Sequence, residues 1–347
     1  MKECFETIPF HNPLKRFSLD ARRIEVRRDP LTRRKSRVCI ERSSRPKQDG
    51  GYARELKKIL QESEKDCMFC HERVEASTPK FSEDFISSGR IEVGEFVLIP
   101  NLFPFGKYHA VGILSKKHFT NIAKIEAENF VNCFEGCNHF FRKVNEIDSG
   151  FVYPIISLNF LQPSGSSIVH PHVQVLMDKE PYEETRLLIE KSLSYFTKYN
   201  RNYWRDLSKL EKKLSSRYIG NSGCVEWMAS FAPRSNNEVT GIVGNDASCI
   251  MELSKNEIKD LSSGISKLLR AFSILGLQSF NMSIYSSPLD GSMSKYFLIN
   301  LRLISRPNLK ILYTADKGFM EVLFNETIVS TVPEQVAEDL KRYFENF

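Results

Sequence analysis

No run of apolar residues in this 347-residue chain is long enough to cross a bilayer as a helix, which sets aside a helical membrane protein. The charged amino terminus lacks the pattern of a signal peptide, so a cytoplasmic location is the expectation. Cysteine is sparse: eight in a chain of this length do not read as a disulfide framework, and only Cys67 and Cys70 stand at a telling spacing. Histidine is sparser still, with seven, at positions 11, 71, 109, 118, 139, 170 and 172. There is no zinc-finger, helix-turn-helix or RNA-recognition pattern. The net charge of +6, with its arginines crowded into the first fifty residues, therefore points to a small phosphorylated ligand rather than to nucleic acid.

A further absence is the most informative. The run from Asn159 to Gln174 ends in His170-Pro-His172-Val-Gln174, with glutamine where a third alternating histidine would stand. A histidine there could protonate a leaving group; a glutamine amide cannot. If His172 is a nucleophile, the leaving group must need no proton, which suits a phosphate or sugar phosphate and not an amine or alkoxide. Those residues point to transfer of a nucleotidyl group between phosphates rather than to hydrolysis. Gly165, Ser166 and Ser167 form a small-residue turn whose amides and hydroxyls can approach a phosphate, and Asn159 can add a side-chain amide.

What remains of the composition, 41% hydrophobic and 27% charged, belongs to a globular protein with one large domain or two ordinary ones. Residues 1–50 read as short extended segments broken by prolines, and 53–65 as a brief helix. Strands are expected at 91–99 and 108–114, a helix over 120–147, and strands at 151–159 and 168–177. Period-two alternation puts His170, His172 and Gln174 on one strand face, and Pro171 suggests an edge or irregular strand. Helical, basic sequence runs from 181 to about 216. Strands at 224–232 and 240–243, a helix at 254–275, strands at 279–286, 296–305 and 320–324, and a closing helix from Pro333 complete the chain. Strands, helix and strands thus occur twice in the same order. The expectation is an α+β protein of two related halves, 1–180 and 181–347, with antiparallel sheets and helices packed on one side.

Cys67-Met-Phe-Cys70 is half of a metal site, and two histidines would have to complete a tetrahedron. His118 and His170 are candidates that spacing does not select.

Taken together, these residues resemble the galactose-1-phosphate uridylyltransferase family, a branch of the histidine-triad superfamily. Arg28-Asp-Pro-Leu-Thr32, Glu41-Arg42 and Arg45-Pro46 resemble the family's opening motifs. Cys67-Met-Phe-Cys70, Pro100-Asn101-Leu-Phe103-Pro104 and the run from Asn159 to Gln174 match its central ones. Phe319-Met-Glu321 and the segment from Pro333 to Leu340 resemble its close, so the likeness spans nearly the whole chain. The resemblance implies two histidine-triad-like halves. It implies that His172 attacks the α-phosphorus of a UDP-sugar, giving a uridylyl-histidine that a second sugar 1-phosphate discharges, with Gln174 donating to a phosphoryl oxygen. Arg42, Arg45, Asn159, Gly165 and Ser167 would hold the phosphates, and Asn101 and Phe103 the nucleoside. Cys67, Cys70, His118 and His170 would form a structural zinc site, and the subunits would pair as a homodimer.

The second half departs from the family. No histidine occurs between Ser294 and Arg302, and Tyr285 stands where an earlier one is expected, so a second metal site is not expected. Glu326-Thr-Ile328-Val-Ser330 replaces the segment that carries the family's sugar-recognising glutamine, which leaves galactose specificity unsupported. Two other readings stand beside uridylyl transfer. One is an adenylyltransferase or phosphorylase acting on an ADP-sugar or dinucleoside polyphosphate; the other is a non-catalytic nucleotide- or RNA-binding module on the same scaffold.

Overall fold

The chain opens with a long hairpin, β1 (Glu3–Asn12) and β2 (Ser18–Arg28), followed by β3 (Lys35–Val38). A short helix, α1 (His71–Ser77), precedes the meander β4 (Ile91–Val93), β5 (Phe96–Pro100) and β6 (Tyr108–Ile113). Helix α2 (Ala127–Ile147) and the hairpin β7 (Tyr153–Phe160) and β8 (His172–Asp178) follow. After α3 (Glu183–Tyr199) and α4 (Tyr203–Leu214) the pattern recurs. A meander of β9 (Tyr218–Ser222), β10 (Val225–Ala229) and β11 (Val239–Val243) leads to helix α5 (Lys255–Ile274) and a hairpin of β12 (Ser279–Tyr285) and β13 (Asn300–Arg306). Helix α6 (Phe319–Leu323), β14 (Thr327–Val329) and α7 (Pro333–Phe344) close it. This computed structural model describes residues 3–44, 58, 60–118, 121–310 and 315–344. Arg45 and six of the thirteen residues of the helix expected at 53–65 lie outside them.

The two repeats form one antiparallel sheet of ten strands, in the order β4-β5-β6-β8-β7-β12-β13-β11-β10-β9. Outward from the β7–β12 seam, both halves run in the same order. The hairpin β1–β2 builds a separate four-stranded sheet with β3 and β14. The class is α+β, as expected.

The repeat is also written in the core. On the side of the sheet that α2 and α5 cover, the Phe96 ring of β5 fills the space that a Cβ on Gly112 of β6 or Gly136 of α2 would need; each would come within 2.5 Å of it. In the second half, Trp227 of β10 is held in the same way by Gly241 of β11 and Gly264 of α5. An aromatic wedged between two glycines thus marks equivalent places. Around it α2 buries Phe130, Phe134 and Phe141 and α5 buries Leu261, Leu268 and Phe272, each contributing roughly 1.5–3 kcal/mol of transfer energy. Ser254 starts α5 with a capping box, its hydroxyl accepting from the Glu257 amide and the Glu257 carboxylate accepting from its own.

Strand register carries the equivalence to the other face. Gly112 pairs with Val173 and Gly241 with Leu301, so His172 and Gln174 correspond to Asn300 and Arg302. The seam agrees, because Ser157 and Ser283 then correspond, and they face each other there with their hydroxyls hydrogen-bonded at 2.8 Å.

Several expectations need correction. Residues 1–50 begin as one long hairpin, because the turn at Pro13 is locked by Asn12, whose side chain accepts the Leu14 amide. Residues 320–323 of the segment 320–324, expected as a strand, lie in helix α6. Glu321 caps that helix by accepting the Gly318 amide, and a short apolar run does not distinguish the two periods. The histidine strand begins at His172, not 168, and it is interior, between β6 and β7. Pro171 precedes it and costs no ladder bond, since its carbonyl still accepts the Leu114 amide.

Candidate active site and metal centre

The turn from Cys67 to Cys70 is closed by the Cys70 amide on the Cys67 carbonyl, with α1 following at once. It faces the loop after β6, carrying His118, and the residues before β8, carrying His170. All four side chains are buried, and their ligand atoms lie within 4.8 Å of one another. Cys70 Sγ stands 3.5 Å from His118 Nδ1 and 4.0 Å from His170 Nδ1, with Cys67 Sγ at 3.8 Å from the latter. The sulfur-to-nitrogen edge of a tetrahedral zinc site is about 3.6 Å.

The histidine tautomers agree with that use. A carbonyl oxygen only accepts, so His170 donates its Nε2–H to Ser115 at 2.7 Å and keeps an unprotonated Nδ1 toward the sulfurs. His118 Nε2 lies 2.9 Å from the Ser63 hydroxyl, whose own proton goes to the Leu60 carbonyl, so His118 also presents a bare Nδ1. Such outer hydrogen bonds are what orient metal-binding imidazoles. Burial, and then the adjacent Cys67 sulfur, push the Cys70 thiol up to about 12, a cost that a divalent cation binding thiolates would offset. These four residues fit a metal ion.

His172 opens β8, only 6% exposed. Its Nδ1–H donates to the His170 carbonyl at 2.7 Å, which fixes the tautomer and leaves the Nε2 lone pair for chemistry. Burial lowers its pKa against the opposing effect of that bond, so the ring is neutral at pH 7. Phe69, from within the cysteine turn, packs edge-on against His172 with centroids 5.3 Å apart. The cysteine–histidine cluster therefore supports His172 twice, through the backbone of His170 and through this ring.

Gln174 lies on the same face. One residue the sequence reading left without a role, His109 of β6, determines its orientation. His109 Nδ1 accepts the Phe105 amide at 3.3 Å, so Nε2 carries the proton and donates to Gln174 Oε1 at 2.7 Å. Burial lowers the His109 pKa and keeps that arrangement neutral. The Asn101 amide nitrogen lies 3.3 Å from the same oxygen and 3.0 Å from His109 Nε2, while its own oxygen accepts the Phe103 amide at 2.8 Å. With its oxygen so occupied, Gln174 turns its NH2 elsewhere. Period-two alternation on β6, which puts His109 on the face of Val111 opposite Gln174, is the signal that could have found it.

The remaining candidates are distributed as follows. Asn101 is half-buried beside Gln174, and Phe103 is 83% exposed next to it. Asn159, on β7, sits beside Gly165, whose φ of 94° favours glycine. The small-residue turn is less open to an anion than expected. The Gly165 and Ser166 amides bond inward to the Gln162 and Leu161 carbonyls, and the Ser166 hydroxyl to Ile168. Gly165 and Ser167 nonetheless remain exposed on its surface. Arg42 is exposed and lines a separate cavity of about 540 Å³ with Asn236, Arg306 and Asp316.

In the second half, Asn300 stands where His172 stands in the first, and an amide offers no nucleophilic lone pair. Arg302, in the place of Gln174, is paired with Glu184 at 3.1 Å, and Arg34 and Arg234 reach the same carboxylate.

No family model matches the chain. An uncharacterised protein of Archaeoglobus fulgidus is 31% identical over 319 residues, 92% of each chain. The structure of an ADP-glucose phosphorylase from Arabidopsis thaliana with bound ADP-glucose is similar with a TM-score of 0.71 at 19% identity, over 92% of this chain and 98% of that one. A uridylyltransferase structure is similar with a TM-score of 0.67 at 16% identity, over the same shares of 92% and 98%. Among the described residues no helix is long and apolar enough to cross a membrane. The chain belongs to one family with the archaeal protein, and its fold is that of the galactose-1-phosphate uridylyltransferase-like proteins its motifs resemble.

Proposed function

We propose that the protein is a nucleotidyltransferase that works through a covalent nucleotidyl-histidine, with UDP-hexose as donor and hexose 1-phosphate as acceptor. The observation that carries this is the set of bonds around His172: Nδ1–H is tied to a carbonyl, leaving a neutral imidazole with Nε2 unprotonated. In the first step Nε2 forms a bond to the α-phosphorus while the bond from that phosphorus to the bridging oxygen breaks, releasing sugar 1-phosphate. In the second, an oxygen of another sugar 1-phosphate attacks the same phosphorus and the bond to Nε2 breaks. Neither leaving group needs a proton at pH 7, which suits Gln174, an amide whose NH2 donates to a phosphoryl oxygen and carries no acid. Asn101 and Phe103 would flank the nucleoside, and Asn159, Gly165 and Ser167 the phosphates, with Arg42 and Arg45 contributing from their own segment. Zinc at Cys67, Cys70, His118 and His170 would brace the nucleophile from behind, and two copies of the chain would pair. Residues 1–180 form the catalytic half in this reading, and 181–347 a repeat that has lost its nucleophile.

The likeness to a phosphorylase solved with ADP-glucose favours a second reading, in which the transferred group is adenylyl and the donor an ADP-sugar. The residues at His172 serve both, and the base is read elsewhere. A pure binding module would have no use for a nucleophile held in one tautomer. Isotope exchange between UDP-glucose and labelled glucose 1-phosphate tests the proposal, with ADP-glucose as the parallel donor. His172→Gly should abolish exchange while the melting temperature stays near that of the parent; exchange that survives the substitution would remove His172 from the reaction.

A further inference from the structure

A chain of polar contacts runs from the end of β13 to the loop beside His172. Asp316 accepts from Arg306, at 3.0 Å from Nε and 2.8 Å from Nη2. Arg306 Nη1 donates to Asn281 Oδ1 at 2.8 Å. Asn281 Nδ2 then donates twice, to Asn159 Oδ1 at 2.6 Å and to the Ser164 carbonyl at 2.8 Å. Both charged members are shielded, with side chains 14% and 11% exposed.

The direction of this chain is fixed by chemistry. A guanidinium has no acceptor and a backbone carbonyl has no donor. Asn281 can satisfy both only with its oxygen toward Arg306 and its nitrogen toward Ser164. The second hydrogen on that nitrogen requires an oxygen from Asn159. The Asn159 amide is thereby held with its NH2 on the opposite side, next to Gly165, where an added Cβ would lie 3.9 Å from the nitrogen. Turned the other way, Asn159 would present a carbonyl oxygen to an anionic group.

We propose that Asn281 is a positioning residue that, with Arg306, locks the Asn159 amide with its donor toward the reacting phosphoryl group. It is the second such device, matching the bond by which His109 sets the Gln174 amide. One amide is set from the first half of the sheet and the other from the second. The second half, without a nucleophile of its own, thus acts on the first across the seam. This inference rests on nucleotidyl transfer at His172.

The test is the single-turnover rate of adduct formation on His172, using the nucleotide sugar that loads the parent protein. Asn281→Asp keeps the size and still accepts from Arg306, but its carboxylate donates to nothing. The rate should fall about 100-fold, the scale of losing one transition-state donor, with donor affinity changed less than about threefold. In an Asn159→Ala background the same change should cost less than about threefold, because Asn281 acts through Asn159; losses that multiply would overturn the proposal. If Asn281→Asp does not fold, Asn281→Ser, which keeps one donor, should give an intermediate rate. A folded variant loading as fast as the parent would overturn the positioning role alone. A parent protein loading with no donor would bring down the reading of His172 and this inference together.

Discussion

At the scale of single residues, the candidate site is a set of groups with fixed donor and acceptor senses. His172, His170 and His118 each have one ring nitrogen engaged and the other bare, and the engaged partner decides which. His109 does the same for Gln174. Replacing His109 with phenylalanine keeps a ring and removes the donor, so Gln174 can turn its oxygen toward a phosphoryl group. Adduct formation should slow about tenfold or more with the melting temperature nearly unchanged; an unaltered single-turnover rate would show that Asn101 alone suffices to hold the glutamine. The sequence made His172, Gln174, Cys67 and Cys70 legible because their identities and spacing are themselves the chemistry, whereas His118 and His170 came only with the family resemblance. It did not make His109 or Asn281 legible. Their identity is unremarkable, and their roles come only from cross-strand register and from which atoms face each other.

At the scale of elements, the cysteine turn, the loop bearing His118 and the start of β8 converge on one cluster. The same His170 that presents Nδ1 to the sulfurs gives its carbonyl to His172, and Phe69 between the two cysteines touches the His172 ring. In the proposed mechanism, metal binding and nucleophile placement are therefore coupled. Substituting Cys70 with serine should lower the metal content from about one ion per chain, reduce the melting temperature by several degrees and slow adduct formation. Metal content by elemental analysis with a thermal melt checks this; a metal-free protein that loads at the full rate would separate the cluster from the chemistry. The order of strands and helices was legible from periodicity, including its repetition. Helix α6 was misread and β9 missed because both are short: Phe319–Leu323 does not define a period, and Tyr218–Ser222 alternates no clear apolar set.

At the scale of the whole molecule, one sheet joins two halves that have diverged in opposite senses. The first carries a polar face with His172, Gln174 and Asn159. The second covers the equivalent face with α3 and α4 and fills it with charge. Burial alone would raise the Glu184 pKa, but Arg302, Arg234 and Arg34 overcome it and hold the carboxyl at about 2. A folded-state value below the ordinary 4.5 means that Glu184 adds stability above that pH and loses it as pH falls toward 2. Glu184→Gln should therefore destabilise the neutral protein by up to about 3 kcal/mol, a gap that narrows as pH falls from 4.5 toward 2. Urea unfolding at several pH values measures it, and a gap that stays constant with pH would mean that the cluster does not hold the carboxylate ionised. This internal equivalence was legible in the sequence only as an order of elements. The glycines that admit Phe96 and Trp227 lie far from those rings in sequence, so the signature appears only once strand neighbours are known.

The measurement that bears most directly on the central claim is intact-protein mass spectrometry after brief mixing with UDP-glucose and, separately, with ADP-glucose. A covalent nucleotidyl-histidine mechanism predicts an acid-labile adduct with the mass of one nucleoside monophosphate, UMP on the primary reading and AMP on the second, absent when His172 is replaced by glycine. An adduct that persists in that variant, or a parent protein that forms none with either donor, would contradict it.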